Sequence, residues 1–242
     1  EGDVFIALQG ENSHGGDFAE QAIDKGCVMI LSEDRDIECA VPCIRVDNLS
    51  AHLTTLAQKF YTQAQLVKLI GVTGTNGKTS VSLFIAQLLE ALNVKTGVIG
   101  TLGISGSEEK TTNTTPDILT LYRALEQGVK IAVIEVSSHA LIQNRVAGLL
   151  FEQTIFTNLT QDHLDYHKTM EDYRDAKGKL FNKTPCAIVN QDDENHAYFL
   201  NLAADKKQST FSLNDFNYYH INDQGFLCRL GQFIFELPLL GR

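Results

Sequence analysis

Hydrophobic and polar positions alternate on a short scale over the first sixty residues. Short apolar runs there have the length of β-strands, and the stretches between them have a helical period. The pattern predicts strands at residues 4–8, 28–31 and 43–46 and a helix at residues 18–25. A second helix ends at Tyr61, with Asn48 or Ser50 as its expected N-cap. This part of the chain is therefore predicted to be a small α/β unit that ends at residue 64.

The pattern changes scale from residue 65 onwards, where longer buried strands alternate with longer helices. Strands are predicted at residues 68–72, 94–99, 130–136, 153–157 and 187–190. Helices are predicted at residues 80–92, 116–127 (with Thr115 as the cap) and 172–181. This alternation is typical of a parallel sheet with helices on both faces. Residues 210–240 are richer in β-type side chains and predict hairpins around residues 222–225. The expected fold class is α/β, with a second domain at residues 65–242.

Composition and charge exclude some functions. The chain has 242 residues and a net charge of −10, which disfavours broad binding to nucleic acid or to an anionic membrane. No apolar run approaches the roughly 18 residues that suggest a membrane span. Five cysteines without a C-x-x-C pair indicate reduced thiols in a cytoplasmic protein. Both ends look cut, so we expect the chain to be a fragment.

The strongest chemical signal is a glycine-rich loop between a buried strand and a helix. It reads Gly74-Thr75-Asn76-Gly77-Lys78-Thr79. Backbone N–H groups of such a loop and the N-terminus of the following helix bind phosphates, while the lysine reaches the outer phosphates and the hydroxyl binds Mg²⁺. The generic motif has a glycine where this chain has Val72. The loop predicts a bound nucleoside triphosphate, and the absence of an Asn-Lys-x-Asp sequence disfavours a GTPase.

Further polar side chains follow two other predicted strands. Glu135 ends one of them, at the edge of the sheet where ligands bind, and is a candidate Mg²⁺ ligand. His163 and His167 follow another strand with the spacing of zinc ligands, but Leu164 stands where a metalloprotease has glutamate. His163 is the better candidate for a functional role, and His167 for a structural one. The pattern alone makes Lys177 a solvated lysine.

Four motifs in order resemble the Mur ligase family. They are residues 71–79, 113–117, 135–139 and 156–167, and the opening residues 2–8 resemble the uridine-binding domain of that family. Within the family they are most similar to the ligases that add the third residue of the peptide. The resemblance runs along essentially the whole chain. Family members continue into a C-terminal domain that selects the amino acid, and no match to that domain occurs here.

The resemblance implies a reaction. ATP phosphorylates the carboxylate of UDP-N-acetylmuramoyl-L-alanyl-D-glutamate, and the amine of a free amino acid then displaces phosphate. We expect meso-diaminopimelate rather than L-lysine as that amino acid. Cytoplasmic, bacterial peptidoglycan synthesis by a monomer is the expected setting, with no nucleic-acid partner and no membrane insertion. An isolated fragment should lack ligase activity.

The resemblance also implies residue roles. The loop residues would bind ATP, namely Gly74, Thr75, Asn76, Gly77, Lys78, Thr79 and Ser80. Mg²⁺ ions would be held by Thr79, Glu135, His163 and a carbamylated Lys177, and Lys78, His163 and Lys177 would be catalytic. The muramoyl peptide would contact Asn113, Thr114, Thr115, Ser137, Gln143 and Arg145.

Two alternatives remain open at this point. One is a sister ligase of the folylpolyglutamate or cyanophycin type, which the opening residues and the segment 113–117 disfavour. The other is a nucleotide-binding module without chemistry. A module of that kind has no need for His163 and Lys177, which the resemblance assigns to the second metal.

Overall fold

The structure, a computed structural model, describes residues 2–10, 13–105, 113–216, 218–222 and 225–237. Its contacts divide the chain into two compact units, Glu1–Tyr61 and Thr62–Arg242. The division lies close to the domain boundary predicted at residue 64. Each unit has its own sheet and is described separately.

Among its described residues, the first unit contains a three-stranded parallel sheet and two α-helices. Its elements are β1 (Val4–Ala7), a 3₁₀ turn (Gly15–Phe18), α1 (Ala19–Asp24), β2 (Met29–Glu33), β3 (Cys43–Val46) and α2 (Leu49–Phe60). The strand order is β1-β2-β3, with both pairs parallel. Ala7, Ala19 and Ile30 form the buried centre of this unit.

The start of α2 differs from the prediction. Asn48 stands at the N-cap with a left-handed φ of 52°, and its side chain makes no capping hydrogen bond. The buried carboxylate of Glu33 caps the helix instead, because its Oε1 accepts from Ser50 N at 2.7 Å. Its Oε2 accepts from Gln9 N at 3.1 Å. A cap supplied from a distant strand leaves no local sequence signal.

The second unit contains a seven-stranded sheet, a separate three-stranded antiparallel sheet and six α-helices among its described residues. The strands are β4 (Lys68–Thr73), β5 (Thr96–Gly100), β6 (Gly103–Ile104), β7 (Ile131–Glu135), β8 (Gln153–Phe156), β9 (Cys186–Asn190), β10 (Lys207–Phe211), β11 (Tyr218–Asn222), β12 (Gly225–Leu230) and β13 (Phe233–Leu237). The helices are α3 (Lys78–Ala91), α4 (Ile118–Leu125), α5 (Ser138–Ile142), α6 (Leu164–His167), α7 (Met170–Gly178) and α8 (His196–Leu202). 3₁₀ turns occupy Gln63–Leu66, Lys179–Lys183 and Leu213–Asp215.

The larger sheet has the order β10-β9-β8-β4-β7-β5-β6, and all its pairs are parallel except β5 with β6. Strand β4 is buried on both faces. Ile70 and Val72 pack towards α3 on one side, where Val81 belongs to the same apolar cluster. On the other side, a Cβ at Gly71 would lie 2.9 Å from Phe151, so glycine allows this close approach. The predicted α/β class with a mainly parallel sheet is confirmed.

Two helix starts in this unit differ from the prediction. Helix α3 begins at Lys78, so the lysine and threonine of the glycine-rich loop form its first turn. Helix α4 is capped by Asp117, whose Oδ1 accepts from Leu119 N and Thr120 N at 3.0 Å each. The predicted cap, Thr115, is fully buried and bonded elsewhere.

The remaining differences are elements that the pattern did not reveal. Helices α5 and α8 are short, and strand β10 joins the parallel sheet rather than a hairpin. Strands β11 and β12 do pair as an antiparallel hairpin, but Asp223 and Gln224 of the predicted turn lie outside the described residues. Among the described residues, none of the helices combines the length and the apolar character that a membrane span requires.

Replacing Glu33 with glutamine tests its role in holding α2. Burial alone would raise the pKa of Glu33, but hydrogen bonds from Ser50 and Gln9 outweigh it and hold the pKa below its ordinary value. An amide accepts through only one atom, so we expect Glu33→Gln to lower the free energy of unfolding by about 1–2 kcal/mol at pH 7. Urea denaturation followed by circular dichroism measures this loss.

The pH dependence provides the control for this prediction. A lowered folded-state pKa means that the stabilisation is fully present above the ordinary pKa of a glutamate and disappears as the pH falls through the lowered pKa. The difference between the two proteins should therefore shrink in acid. The exposed Glu38→Gln should change little at either pH. Equal stability of Glu33→Gln and the unsubstituted chain at pH 7 would contradict the proposed cap.

Candidate nucleotide-binding site

The glycine-rich loop joins β4 to α3 in a conformation that needs its glycines. Gly74 and Gly77 have φ values of 151° and 83°, which side-chain-bearing residues rarely adopt. A Cβ at Gly74 would overlap the hydroxyl of Thr157. The loop is thus held against the segment that follows β8, with the N-terminus of α3 beside it.

A second loop supports the backbone of the first. Thr157 Oγ1 donates to Asn76 O at 2.7 Å, and Asn158 Nδ2 donates to the same oxygen at 3.0 Å. Asn158 also accepts from Asn76 N through Oδ1 at 2.9 Å and from Thr75 N through its backbone carbonyl at 2.8 Å. In the segment that follows β8 the sequence pointed to His163 and His167, whereas Thr157 and Asn158 position the phosphate loop.

Lys78 points back along the loop. Its Nζ donates to the carbonyl oxygens of Gly74 and Thr75, each at 2.9 Å. Burial lowers the pKa of Lys78, while the negative charges of Glu135 and Asp162 act in the opposite direction. The ammonium group therefore lies at the floor of the loop, with carboxylates nearby.

Glu135 lies at the end of β7 and is only 1% exposed. Thr79 Oγ1 donates to its Oε2 at 2.8 Å. Thr101, which the sequence did not single out, donates to Oε1 from its backbone N and to Oε2 from its hydroxyl, both at 3.1 Å. A carboxylate beside a hydroxyl supplies the hard oxygen ligands that Mg²⁺ prefers, and phosphates and water complete such sites.

These groups line a cleft of about 330 Å³. Its walls are Thr75, Asn76, Gly77, Lys78, Thr79, Ser80, Thr101, Thr114 and Glu135. All the predicted ATP-binding residues except Gly74 belong to this wall, and Gly74 is buried. Thr101 and Thr114 extend the cleft towards the segment 113–117.

Lys177 is buried rather than solvated, with 1% of its surface exposed. Its Nζ donates to Gly74 O at 2.8 Å and lies 4.3 Å from the centre of the Tyr173 ring. Burial, reinforced by the positive charge of Lys78, holds the pKa of Lys177 well below its ordinary value, with Asp162 opposing the shift. A lysine in this environment favours the neutral, nucleophilic amine.

The two histidines differ in environment. His163 has a left-handed φ of 52° and is about half exposed, with its backbone N donating to Asp162 Oδ1 at 2.8 Å. His167 is buried, and its Nε2 lies 2.8 Å from Ser138 Oγ. Burial, followed by the neighbouring charge of His139, lowers the pKa of His167. Within the described residues, no group of three or more His, Cys, Asp or Glu side chains stands ready to hold a metal.

The residues predicted to contact the muramoyl peptide cluster around Thr115. Its hydroxyl donates to Glu135 O at 2.7 Å and accepts from Ser137 N at 3.1 Å. Arg145 Nη1 donates to Thr115 O at 2.8 Å, and its Nη2 donates to Gln143 Oε1. Thr114 Oγ1 lies 3.3 Å from Thr101 Oγ1, and Asn113 is exposed at the start of the segment.

Together, the parallel sheet, the glycine-rich loop and the hydroxyl–carboxylate pair define a nucleotide-binding α/β domain of the phosphate-loop class. Comparison with known proteins assigns the family. The model of the Mur ligase middle domain matches residues 72–242, and the model of the Mur ligase family, catalytic domain, matches residues 1–61. The chain belongs to the Mur ligase family.

Two similar curated proteins carry the same name. The UDP-N-acetylmuramoyl-L-alanyl-D-glutamate–2,6-diaminopimelate ligase of Bacillus cereus is 44% identical over 209 residues, covering 80% of this chain and 42% of the relative. The ligase of the same name from Listeria monocytogenes is 37% identical over 264 residues, covering 99% of this chain and 54% of the relative. The chain thus spans about half the length of the relatives that it matches.

Solved structures share the fold. A structure of UDP-N-acetylmuramoyl-L-alanyl-D-glutamate–2,6-diaminopimelate ligase superposes with a TM-score of 0.75 at 32% identity, covering 99% of this chain and 53% of that one. MurF from Acinetobacter baumannii gives a TM-score of 0.77 at 21% identity, with 99% and 53% coverage. The second likeness concerns the fold alone.

Replacing Asn158 with alanine tests the support of the phosphate loop. The change removes two side-chain hydrogen bonds to Asn76, so we expect ATP·Mg²⁺ binding by the chain to weaken about tenfold. Isothermal titration calorimetry measures the dissociation constant. Asn201→Ala, an exposed position in α8, is the matched control. Unchanged affinity in Asn158→Ala would mean that the loop keeps its shape without this residue.

Proposed function

We propose that this chain forms the substrate-binding and ATP-binding parts of an ATP-dependent amide ligase. The ligase adds a third amino acid, meso-diaminopimelate rather than L-lysine, to UDP-N-acetylmuramoyl-L-alanyl-D-glutamate in peptidoglycan synthesis. The main support for this proposal is that Glu135 hydrogen-bonds to two threonines with different proposed roles. One is Thr79 of the phosphate loop, and the other is Thr115 of the segment proposed to bind the peptide. The names of the similar ligases support the choice of substrates.

The proposed reaction has two steps. A carboxylate oxygen of the substrate attacks the γ-phosphorus of ATP, and ADP leaves. The amine nitrogen of the amino acid then attacks the acyl carbon, phosphate leaves, and the amine loses a proton. Bound Mg²⁺ supplies positive charge that brings the anionic carboxylate and phosphates together and stabilises the transferring group.

The residues of the chain have separate roles in this scheme. Residues 74–80 hold the phosphates, with Lys78 on the outer ones. Thr79 and Glu135 hold one Mg²⁺, and His163 serves a second. Arg145 supports the backbone of Thr115 and presents a guanidinium to an acidic substrate. Substrate binding is assigned to Asn113, Thr114, Thr115, Ser137, Gln143 and Arg145.

Lys177 has a chemical role that its environment supports. Its amine nitrogen would attack the carbon of CO₂ and lose a proton, giving a carbamate. That change replaces a cation by an anion able to bind a metal. Burial and the charge of Lys78 favour the neutral amine that this reaction needs.

The remaining assignments follow from the same proposal. Residues 1–64 form the domain that binds the UDP-muramoyl part, and residues 65–242 form the ATP-binding domain. The protein acts as a monomer in the bacterial cytoplasm on two small molecules, the UDP-muramoyl dipeptide and a free amino acid. Nucleic acid and membrane insertion play no part.

Ligation by the full gene product that carries this chain tests the function. With ATP, Mg²⁺ and UDP-N-acetylmuramoyl-L-alanyl-D-glutamate, we expect ADP release with meso-diaminopimelate and little with L-lysine. A coupled ADP assay and mass spectrometry of the product measure the reaction. ADP release with neither amino acid would sink this function. Release with a folate and glutamate instead would favour a sister ligase, and nucleotide binding without any turnover would indicate a binding module.

Substitution of Lys177 tests the carbamate. We expect Lys177→Ala to reduce turnover by about a hundredfold or more, because a preorganised charge next to the phosphates is lost. Carbon-13 NMR after addition of labelled bicarbonate should give a carbamate signal that disappears in Lys177→Arg. Because the pKa of Lys177 is lowered, this signal should persist at pH values where an exposed lysine is fully protonated.

The neighbouring residue Lys179 is the control for this experiment. It is exposed, so Lys179→Arg should keep both the signal and the turnover. Full activity of Lys177→Ala, or a signal that survives in Lys177→Arg, would refute the carbamate.

A further inference from the structure

Thr101 is placed beside Glu135 by the register of two parallel strands. Strand β5 pairs with β7 so that Ile99 stands opposite Ile134. The next residues along, Gly100 and Glu135, therefore also face each other, and Thr101 follows at the end of β5 where the sheet binds ligands. No part of the sequence pattern marked this position.

Gly100 gives the Glu135 side chain the space that it occupies. A Cβ at Gly100 would overlap the carboxyl group of Glu135. The carboxylate therefore lies directly across the backbone of β5. In this position it meets the backbone N–H of Thr101 with one oxygen and the hydroxyl of Thr101 with the other.

The two contacts of Thr101 fix the plane of the carboxylate. The backbone N–H donates to Oε1 and the hydroxyl donates to Oε2, both at 3.1 Å. Thr79 also donates to Oε2, at 2.8 Å. If Thr79 and Glu135 both bind a cation, the hydrogen bond between them is lost. The two hydrogen bonds from Thr101 then hold the Glu135 carboxylate.

The hydroxyl of Thr101 has a second neighbour. Its oxygen lies 3.3 Å from Thr114 Oγ1 as well as 3.1 Å from Glu135 Oε2. A hydroxyl carries one proton and serves one acceptor fully at a time, and a carboxylate is the stronger acceptor. Glu135 is therefore the favoured partner of the Thr101 proton.

We propose that Thr101 is a positioning residue that orients the Glu135 carboxylate for Mg²⁺ at the phosphate loop. The proposal rests on the assignment of Thr79 and Glu135 as Mg²⁺ ligands in the proposed function. It does not rest on the identity of the peptide or of the amino acid. Thr101 acts on the metal through Glu135.

Nucleotide binding with and without metal tests this role. The dissociation constant of a non-hydrolysable ATP analogue is measured by calorimetry in EDTA and in saturating Mg²⁺. The ratio of the constant in EDTA to the constant in Mg²⁺ gives the contribution of the metal. Thr101→Val keeps the shape and the backbone N–H but removes the hydroxyl. A hydrogen bond to a charged group is lost, so we expect this ratio to fall about tenfold. The affinity in EDTA, which includes no contribution from the metal, should change much less than the affinity in Mg²⁺.

Three further measurements separate positioning from general damage. Thr101→Ser restores the hydroxyl and should restore the ratio. Thr210→Val, the same change at an exposed position in β10, should leave the ratio and the melting temperature unchanged. A ratio in Thr101→Val equal to that of the unsubstituted chain would overturn the proposal, as would equal weakening in EDTA and in Mg²⁺. These outcomes do not depend on ligation, so failure of the proposed reaction is distinguishable from failure of this inference.

Discussion

The buried carboxylate of Glu135 is the interaction on which the described site depends. Burying a charge costs free energy unless hydrogen bonds replace the lost water. Thr79 and Thr101 donate to its side-chain oxygens, and Thr115 donates to its backbone carbonyl. Three segments that are distant in sequence therefore take their positions from one residue at the end of β7. Loss of the donors from Thr79 and Thr101 would leave the carboxylate with an unmet charge in a buried place.

The parallel sheet is what makes this convergence possible. Strands β4, β5 and β7 are neighbours that run in one direction, so the loops that follow them emerge at the same edge. Close approach at that edge requires residues without side chains. Gly74 leaves room for Thr157, and Gly100 leaves room for Glu135. The site therefore depends on close approach of backbone and side chains at this edge of the sheet. The positions of Gly74 and Gly100 in the sequence do not predict which side chains they make room for.

The sequence gives the most direct predictions where the signal is local. The residues of the glycine-rich loop are themselves the motif that predicts it. Glu135 is predicted by its place at the end of an apolar run. Thr101 was missed because only the register between β5 and β7 brings it to the carboxylate. The prediction that Thr115 caps α4 was wrong, because a contact across the fold takes its hydroxyl. That hydroxyl donates to the backbone carbonyl of Glu135, and Asp117 caps the helix. The cap supplied by Glu33 was invisible for the same reason, since its partners lie on other elements.

Lys177 shows how tertiary packing can overturn a prediction made from local sequence. Its neighbours along α7 are polar, so the pattern alone describes a solvated side chain. In the fold, Lys177 and Lys78 both donate to Gly74 O, at 2.8 Å and 2.9 Å. Two ammonium groups on one carbonyl oxygen repel each other, and the pair is relieved when one loses its proton. Burial selects Lys177, because it is the more deeply buried of the two. The phosphate loop therefore forms part of the environment of a lysine about a hundred residues away, which no periodicity in the chain encodes.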